Sequence, residues 1–273
     1  MNTATLQSLH VYPLKSARGI ALSAARLGTR GLDGDREWLI VNARRRFLTQ
    51  RELPQLALLS AQPQPQADHL LLSAPGQPPL RVPLVSGERC TVQIWRDECA
   101  AIDAGDAAAR WLSDWLQHDC RLVRFDLQQH RFSSAQWTGD VQADNAFSDG
   151  YPILVIGQSS LNDLNRRLGR QLPMDRFRPN IVLAGLEPHA EDRIHELRIG
   201  AARVRLVKPC TRCVITTTDQ ATGVRDGDEP LDTLRGYRFD AQLRGVAFGQ
   251  NAIIVAGTGE KLHAGDVVDI SWR

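Results

Sequence analysis

Lysine is almost missing from this sequence. Of 33 basic residues only Lys15, Lys208 and Lys261 are lysines, a compositional skew, shared with abundant alanine, that carries no functional reading. Long like-charged blocks are absent too, and the formal charge of +2 gives no case for nucleic-acid binding. No apolar run approaches the roughly 20 residues that a membrane helix needs, and no hydrophobic leader opens the chain. A cytoplasmic protein without membrane contact is therefore expected. Cysteine is sparse: the five residues are scattered and do not suggest a disulfide framework. The seven histidines form no close pair, so the usual structural zinc site lacks its ligands. What remains is ordinary for a folded chain, with 42% hydrophobic and 23% charged residues over 273 positions. That length can bury a substantial core in one large domain or two closely joined ones.

The most informative stretch is 208–223, KPCTRCVITTTDQATG. Cys210 and Cys213 stand at a CxxC spacing after Pro209, followed by the β-branched run Val214, Ile215, Thr216, Thr217, Thr218 and a turn from Asp219 to Gly223. β-Branched residues favour extended backbone, so the thiol pair is predicted at the mouth of a strand. A thioredoxin-type pair would be followed by a helix, whose N-terminus lowers a thiol pKa, and no helical pattern follows here. Both cysteines can equally be small buried hydrophobes. Spacing alone leaves these alternatives open.

Elsewhere periodicity supplies the frame. Residues 6–13 alternate as a first strand. Residues 31–42 place an acidic turn before a strand with Trp38 and Ile40 on one face and Leu39 and Val41 on the other. Residues 61–83, rich in proline and glutamine, read as an exposed hairpin or loop. Residues 92–94 are strand-like and closed by Trp95. A helix is predicted over 107–117, capped by Asp106, with Trp111 and Trp115 one turn apart in the core. A short strand covers 122–125, and YPILVIG at 151–157 suits a buried strand. The clearest helix is 158–169, capped by Ser159 or Ser160, with Leu161, Leu164 and Leu168 on one face. Its C-terminal Arg166, Arg167 and Arg170 complement the helix dipole. Residues 194–199 and 202–206 form a hairpin, and the short alternating strands of 245–273 resemble the closing strands of a β-barrel.

Residues 208–223 resemble the signature of the MOSC domain, in the branch of the mitochondrial amidoxime-reducing component and its bacterial relatives. Further matching segments are VYPLKS at 11–16, GLDGDREW at 31–38, FLTQR at 47–51, DNAFSDGYPILVIG at 144–157 and RFRPN at 176–180. The resemblance runs from about Leu6 to the end and is weakest in the proline-rich stretch. It implies an α+β, mainly β fold: a MOSC-type β-barrel over 119–273, with a smaller α/β MOSC N-terminal region over 1–118. It implies a molybdenum cofactor, with Cys213 as the thiolate ligand to the metal, an assignment that suits a soft ligand and a soft centre. Lys15, Ser16, Arg36, Ser148, Arg178, Asn180, Thr211 and Arg212 would hold the cofactor. Arg212 would also favour the thiolate, and Asp149 would stand at the open face. Arginine's planar fork is suited to phosphate and pterin edges. Thr49 and Arg51 would support the site or lie on the surface.

The implied activity is reduction of N-hydroxylated compounds (amidoximes, hydroxylamines, N-hydroxylated bases) by oxygen-atom transfer to molybdenum. A cofactor carrier or sulfur-handling protein without turnover, and a thiol redox protein using Cys210 and Cys213, are the competing readings. No four-cysteine cluster follows Cys213, so a separate electron donor is expected, either a flavoprotein reductase or a small iron–sulfur or haem protein.

Overall fold

The computed structural model describes residues 3–84, 87–225 and 227–273. Seven strands close into a barrel in the spatial order Thr3–Val11, Val267–Trp272, Ile194–Ile199, Ala202–Thr211, Gly245–Ala256, Ile153–Gly157 and Ile181–Ala184, the last returning to the first. Neighbours run antiparallel except Ile153–Gly157 and Ile181–Ala184, which are parallel. The helix Gln158–Leu168 lies between those two in the chain, the connection a parallel pair requires. Closure leaves the barrel no free edge. Its interior is aliphatic and includes Leu6, Leu9, Val155, Ile181, Leu183, Leu197, Val204 and Leu206. Burying each such side chain stabilises by about 1.5–3 kcal/mol.

The first strand begins at Thr3 and changes phase along its length. Ala4 and Leu6 point inward, then Leu9 and Val11. An irregularity between Leu6 and Ser8 in the pairing with Ile181–Ala184 adds the residue that moves the inward face from even to odd positions.

Against the barrel sits a four-stranded antiparallel sheet, ordered Trp38–Asn42, Cys120–Phe125, Asp97–Asp103, Arg89–Ile94. The expected alternation of its first strand is observed, and both faces are buried. Trp38 and Ile40 pack with Trp111 and Leu112 of the helix Asp106–Leu116, whereas Leu39 and Val41 pack with Val92, Ile94, Phe125 and Phe147. Of the two forms expected for the proline-rich stretch, hairpin or loop, it takes the hairpin, though not an exposed one. It forms a three-stranded meander, Ser60–Gln64, His69–Ser73 and Leu80–Pro83, whose Leu70, Leu72 and Val82 join the Trp38 side of the core. Prolines sit at its margins, where no ladder N–H is needed.

Three local expectations are corrected. Residues 214–217 form a 3-10 turn, not a strand. The Ala202–Thr211 ladder runs out just past Thr211: Ala247 stands opposite it, and the Arg212 N–H makes a last bond to the Val246 carbonyl at 2.8 Å, one residue from the start of that strand. The Thr216 and Thr217 hydroxyls instead donate to the carbonyls of Cys213 and Val214, each at 2.9 Å, local bonds that compete with extended backbone. The thiol pair thus stands at the exit of a strand. Helix Gln158–Leu168 has Gly157 at its N-cap and no side-chain cap of its own. Buried Glu191 fills that role from afar, accepting from the Gly157 N–H at 3.1 Å and the Ser160 hydroxyl at 2.8 Å. Asp106 lies inside the first turn of its helix, where Gly105 is the N-cap. Among the described residues no helix is long and apolar enough to cross a membrane.

Candidate functional site

A cleft of about 630 Å³ opens where one end of the barrel meets the four-stranded sheet, and its wall contains Lys15, Ser16, Arg36, Ser148, Asp149, Arg178, Asn180, Thr211, Arg212 and Cys213. All ten residues singled out from the sequence therefore converge. The wall also includes Arg51, Arg131 and Lys208, giving seven cationic side chains against the carboxylates of Asp97 and Asp149. In a chain of formal charge +2 this concentrates positive potential in one concave place, which favours an anionic ligand.

Tyr12, which follows Val11 at the end of the first strand, organises one wall. Its hydroxyl donates to the Pro179 carbonyl at 3.0 Å and its N–H donates to Asp35 at 2.8 Å. The guanidiniums of Arg36 and Arg178 lie against its ring at 4.5 and 4.2 Å. The ring occupies the space beside Gly19, where a Cβ would come within 2.4 Å of it. Arg36 is fully engaged: it donates to Asp35, to the Asn180 side-chain carbonyl at 3.1 Å and to the Arg178 carbonyl at 3.2 Å. Burial opposes its charge, but Asp35 outweighs that and raises its pKa. Asn180 is spent on the protein as well. Its amide donates to the His10 carbonyl and its carbonyl accepts from the Leu154 N–H, both at 3.1 Å, so it positions Arg36 across three strands.

Arg178 differs. One nitrogen, Nη1, donates to the Ala17 carbonyl at 2.6 Å, while the buried Nη2 has no hydrogen-bond partner among the described residues. Burial with little compensation pulls this guanidinium down to about 10. An uncompensated buried cation is costly, and an anion in the cleft would supply what is missing.

Four wall residues that are not glycine hold left-handed backbone: Ser16 (φ 67), Arg36 (φ 52), Trp95 (φ 54) and Arg178 (φ 56). Such conformations are sparsely populated for these residue types and persist where surrounding contacts enforce them.

On the opposite wall, buried Lys15 donates to the Phe147 carbonyl at 2.7 Å and to Asp149 at 2.6 Å. Desolvation lowers the Lys15 pKa, and Asp149 only partly restores it. The Asp149 carboxylate is exposed to the cleft; neighbouring protein partly desolvates it, yet Lys15, Arg51 and the Trp95 indole N–H outweigh that and hold the group well below the usual carboxylate range. Asp149 is therefore an anion and hydrogen-bond acceptor at neutral pH. Arg131 fastens this wall, donating to the carbonyls of Ala146 and Ser148 at 3.0 and 2.7 Å and to Asp97 at 2.9 Å. The Ser148 hydroxyl donates to Asn145 at 3.0 Å.

The two thiols have separate arginines. Arg212 does not face Cys213: its Nη1 lies 3.0 Å from the Cys210 sulfur, and its Nη2 donates to the Phe177 carbonyl at 2.6 Å. The cation at Cys213 is Arg51, whose Nη2 donates to the sulfur at 3.3 Å and whose guanidinium stacks 4.7 Å from the Trp95 ring. Arg225 secures that segment by donating to the carbonyls of Gln50 and Arg51. Sequence reasoning left Tyr12, Trp95 and Arg131 without a site role and offered Arg51 only as a supporting or surface residue. Tyr12 and Arg51 stand inside matching segments, VYPLKS and FLTQR. Trp95 and Arg131 have no motif around them, and only the fold brings them to the cleft.

Comparison with known proteins matches residues 3–119 to the MOSC N-terminal beta barrel domain and residues 142–269 to the MOSC domain. Mitochondrial amidoxime-reducing component 1 of Mus musculus is 38% identical over 250 residues, an alignment covering 86% of this chain and 72% of that protein. The chain belongs to the MOSC-domain family. Mitochondrial amidoxime reducing component 2 of Bos taurus is 35% identical over 245 residues, and component 1 of Homo sapiens 35% over 244, with the same coverage.

The cleft is shared between the two MOSC regions. Lys15, Ser16, Arg36, Arg51 and Trp95 come from the stretch matched to the N-terminal domain; Ser148, Asp149, Arg178, Asn180, Thr211, Arg212 and Cys213 come from the MOSC domain. The first strand of the former is built into the barrel of the latter, so neither region completes the site alone.

Proposed function

We propose that the cleft binds a molybdenum cofactor, a pterin dithiolene carrying phosphate, and that the protein reduces N-hydroxylated compounds such as amidoximes, hydroxylamines and N-hydroxylated bases. The observation carrying this is the wall itself, a cysteine sulfur among seven cations of which one, Arg178, is buried with an unpartnered Nη2. The donor set fits such a group: cations for phosphate, a thiolate for a soft metal. Among the described residues no three His, Cys, Asp or Glu side chains gather as a metal site, so a metal at Cys213 would bring most of its ligands with it. The relatives' name, amidoxime-reducing component, points to the same substrate class.

When bound, the cofactor supplies the two-electron oxygen-atom-transfer chemistry. This chain's residues do the rest. Cys213 offers its sulfur, steadied by the Arg51 guanidinium. Arg178 holds the anionic end with its unpartnered Nη2, and Arg36, fixed by Asp35 and Asn180, adds its charge beside it. Lys15 keeps Asp149 ionised and aimed, so its free lone pairs can accept from the N–H groups of an amidoxime. We divide the chain functionally into 1–118 and 119–273, place it in the cytoplasm, and assign electron supply to a separate flavoprotein, iron–sulfur or haem protein. The test is reduction of benzamidoxime by protein purified from a cofactor-competent host, with reduced methyl viologen as donor. Bound molybdenum without N-reduction would instead make the protein a carrier.

A further inference from the structure

Lysine is scarce in this chain, yet two of its three lysines, Lys15 and Lys208, line the cleft. Their surroundings differ. Lys15 is buried and committed to Asp149 and the Phe147 carbonyl. Lys208 is half-buried on the strand Ala202–Thr211, two positions before Cys210, which lines the same cleft, as the two-residue period of a strand allows. Its ammonium stands 5.2 Å from the centre of the Trp137 ring and 5.9 Å from that of Tyr151. Both rings are within the range at which an aromatic face attracts a cation.

No hydrogen bond or ion pair reaches the Lys208 ammonium among the described residues. The two carboxylates of the wall are held by other cations, Asp97 by Arg131 at 2.8 Å and Asp149 by Lys15 at 2.6 Å. Tyr151 also lines the cleft, and its hydroxyl has no hydrogen-bond partner among the described residues. Burial pushes that hydroxyl up to about 12, so it stays a neutral donor. Two rings thus hold an ammonium in place without neutralising it. The cradle is also separate from the Tyr12 wall: among the described residues no hydrogen bond, ion pair or cation–ring contact joins it to Arg36 or Arg178. Trp137 lies in the short helix Ala135–Thr138, between the residues matched to the two MOSC regions, so the family pattern does not account for it.

We propose that Lys208, held between Trp137 and Tyr151, is a subsite for an anionic substituent of the substrate, so that the preferred N-hydroxylated compounds carry a carboxylate. The proposal rests on the reductase reading above and names a substrate class within it. Lysine suits the role because its ammonium is a compact point charge with three donors and demands no bidentate partner. The rings restrict the side chain beforehand, so less freedom is lost when a carboxylate binds. Opposite charges at Asp149 and Lys208 also give the substrate a direction. Its amidoxime N–H groups go to Asp149, which repels a carboxylate, and its carboxylate goes to Lys208.

The test compares 4-carboxybenzamidoxime with 4-(aminomethyl)benzamidoxime, ring substrates of similar size and opposite charge, on cofactor-loaded protein with reduced methyl viologen as donor. Wild type should prefer the carboxylate by about tenfold or more in kcat/KM, chiefly through KM. Lys208→Met should lower that ratio about tenfold, Lys208→Arg should keep most of it, and Lys208→Glu should lower it further. Calorimetry on oxidised protein without donor, where nothing turns over, should give the same order in Kd. Molybdenum per chain should match wild type in all three variants. A ratio unchanged in Lys208→Met would overturn the proposal, as would wild-type reduction of benzamidoxime with no preference for the carboxylate. Molybdenum loss in Lys208→Met would overturn it too, by placing Lys208 on the cofactor. Failure of wild type to reduce even unsubstituted benzamidoxime would instead sink the reductase reading.

Discussion

Arg178 makes an unusual demand on the cleft, and replacing it with methionine isolates that demand. Burial lowers the guanidinium from its ordinary range to about 10, which means that the folded state disfavours its charge. At about 1.4 kcal/mol per pKa unit this amounts to roughly 3 kcal/mol against folding at neutral pH. Substitution also removes two favourable interactions, the bond to the Ala17 carbonyl at 2.6 Å and the stacking against Tyr12 at 4.2 Å, together worth about 2–4 kcal/mol. The two sums nearly cancel. Arg178→Met, which keeps most of the side-chain volume, should therefore leave the stability of cofactor-free protein within about 1 kcal/mol of wild type. Arg36→Met should not, because it strands the buried Asp35 carboxylate and should cost about 3–5 kcal/mol. Anion binding separates the variants further: with pyrophosphate at one hundred times its Kd, wild type gains about 2.7 kcal/mol by mass action, and Arg178→Met gains little. Urea unfolding with and without pyrophosphate reads both quantities. If Arg178→Met loses about 3 kcal/mol or more without anion, or gains as much from pyrophosphate as wild type does, Arg178 is a structural residue and not a poised anion clamp.

Other parts of the structure carry their own expected outcomes. Arg131→Ala strands Asp97 and the acceptors of the 145–149 segment and should cost about 3–5 kcal/mol, with amide exchange rising first at 145–149. Gly19→Ala drives a methyl into the Tyr12 ring, which stands at 2.4 Å from the added carbon; it should cost about 1–3 kcal/mol and alter the near-ultraviolet circular dichroism of Tyr12. Asp163 is pushed up by burial, but Arg167, Arg166 and His189 outweigh that and lower it from 3.8 to about 2. The ionised form is thus favoured by folding, so its contribution, about 2 kcal/mol, is complete above the ordinary 3.8 and lost as pH falls from there to about 2. Asp163→Asn should be less stable than wild type at neutral pH, with the gap closing over that acid range in denaturant titrations.

The inward strands and the ten converging residues were legible because local pattern and tertiary need agreed. Alternation in Trp38–Asn42 announced two buried faces, and both are buried. Each matching segment carried its own site residues, so their positions needed no knowledge of pairing. What escaped notice depends on contacts between distant residues. The Arg51–Cys213 contact joins positions 162 apart, and the carboxylate at the Gln158–Leu168 N-terminus comes from Glu191. Nothing in the chain near Arg131 distinguishes it from the many surface arginines until the 145–149 segment folds around it. The strand expected after Cys213 failed for a different reason: β propensity is a preference for packing on a sheet, and Thr216 and Thr217 bond instead to the backbone of their own turn.

The Cys213 sulfur is the atom on which the proposed function turns, and molybdenum retention measures its role most directly. Wild type, Cys213→Ser and Cys210→Ser would be purified from the same cofactor-competent host, and molybdenum per chain determined by elemental analysis. Near-stoichiometric metal is expected in wild type and in Cys210→Ser, with severe loss in Cys213→Ser. Metal retained in Cys213→Ser at the wild-type level, or lost only in Cys210→Ser, would contradict that role.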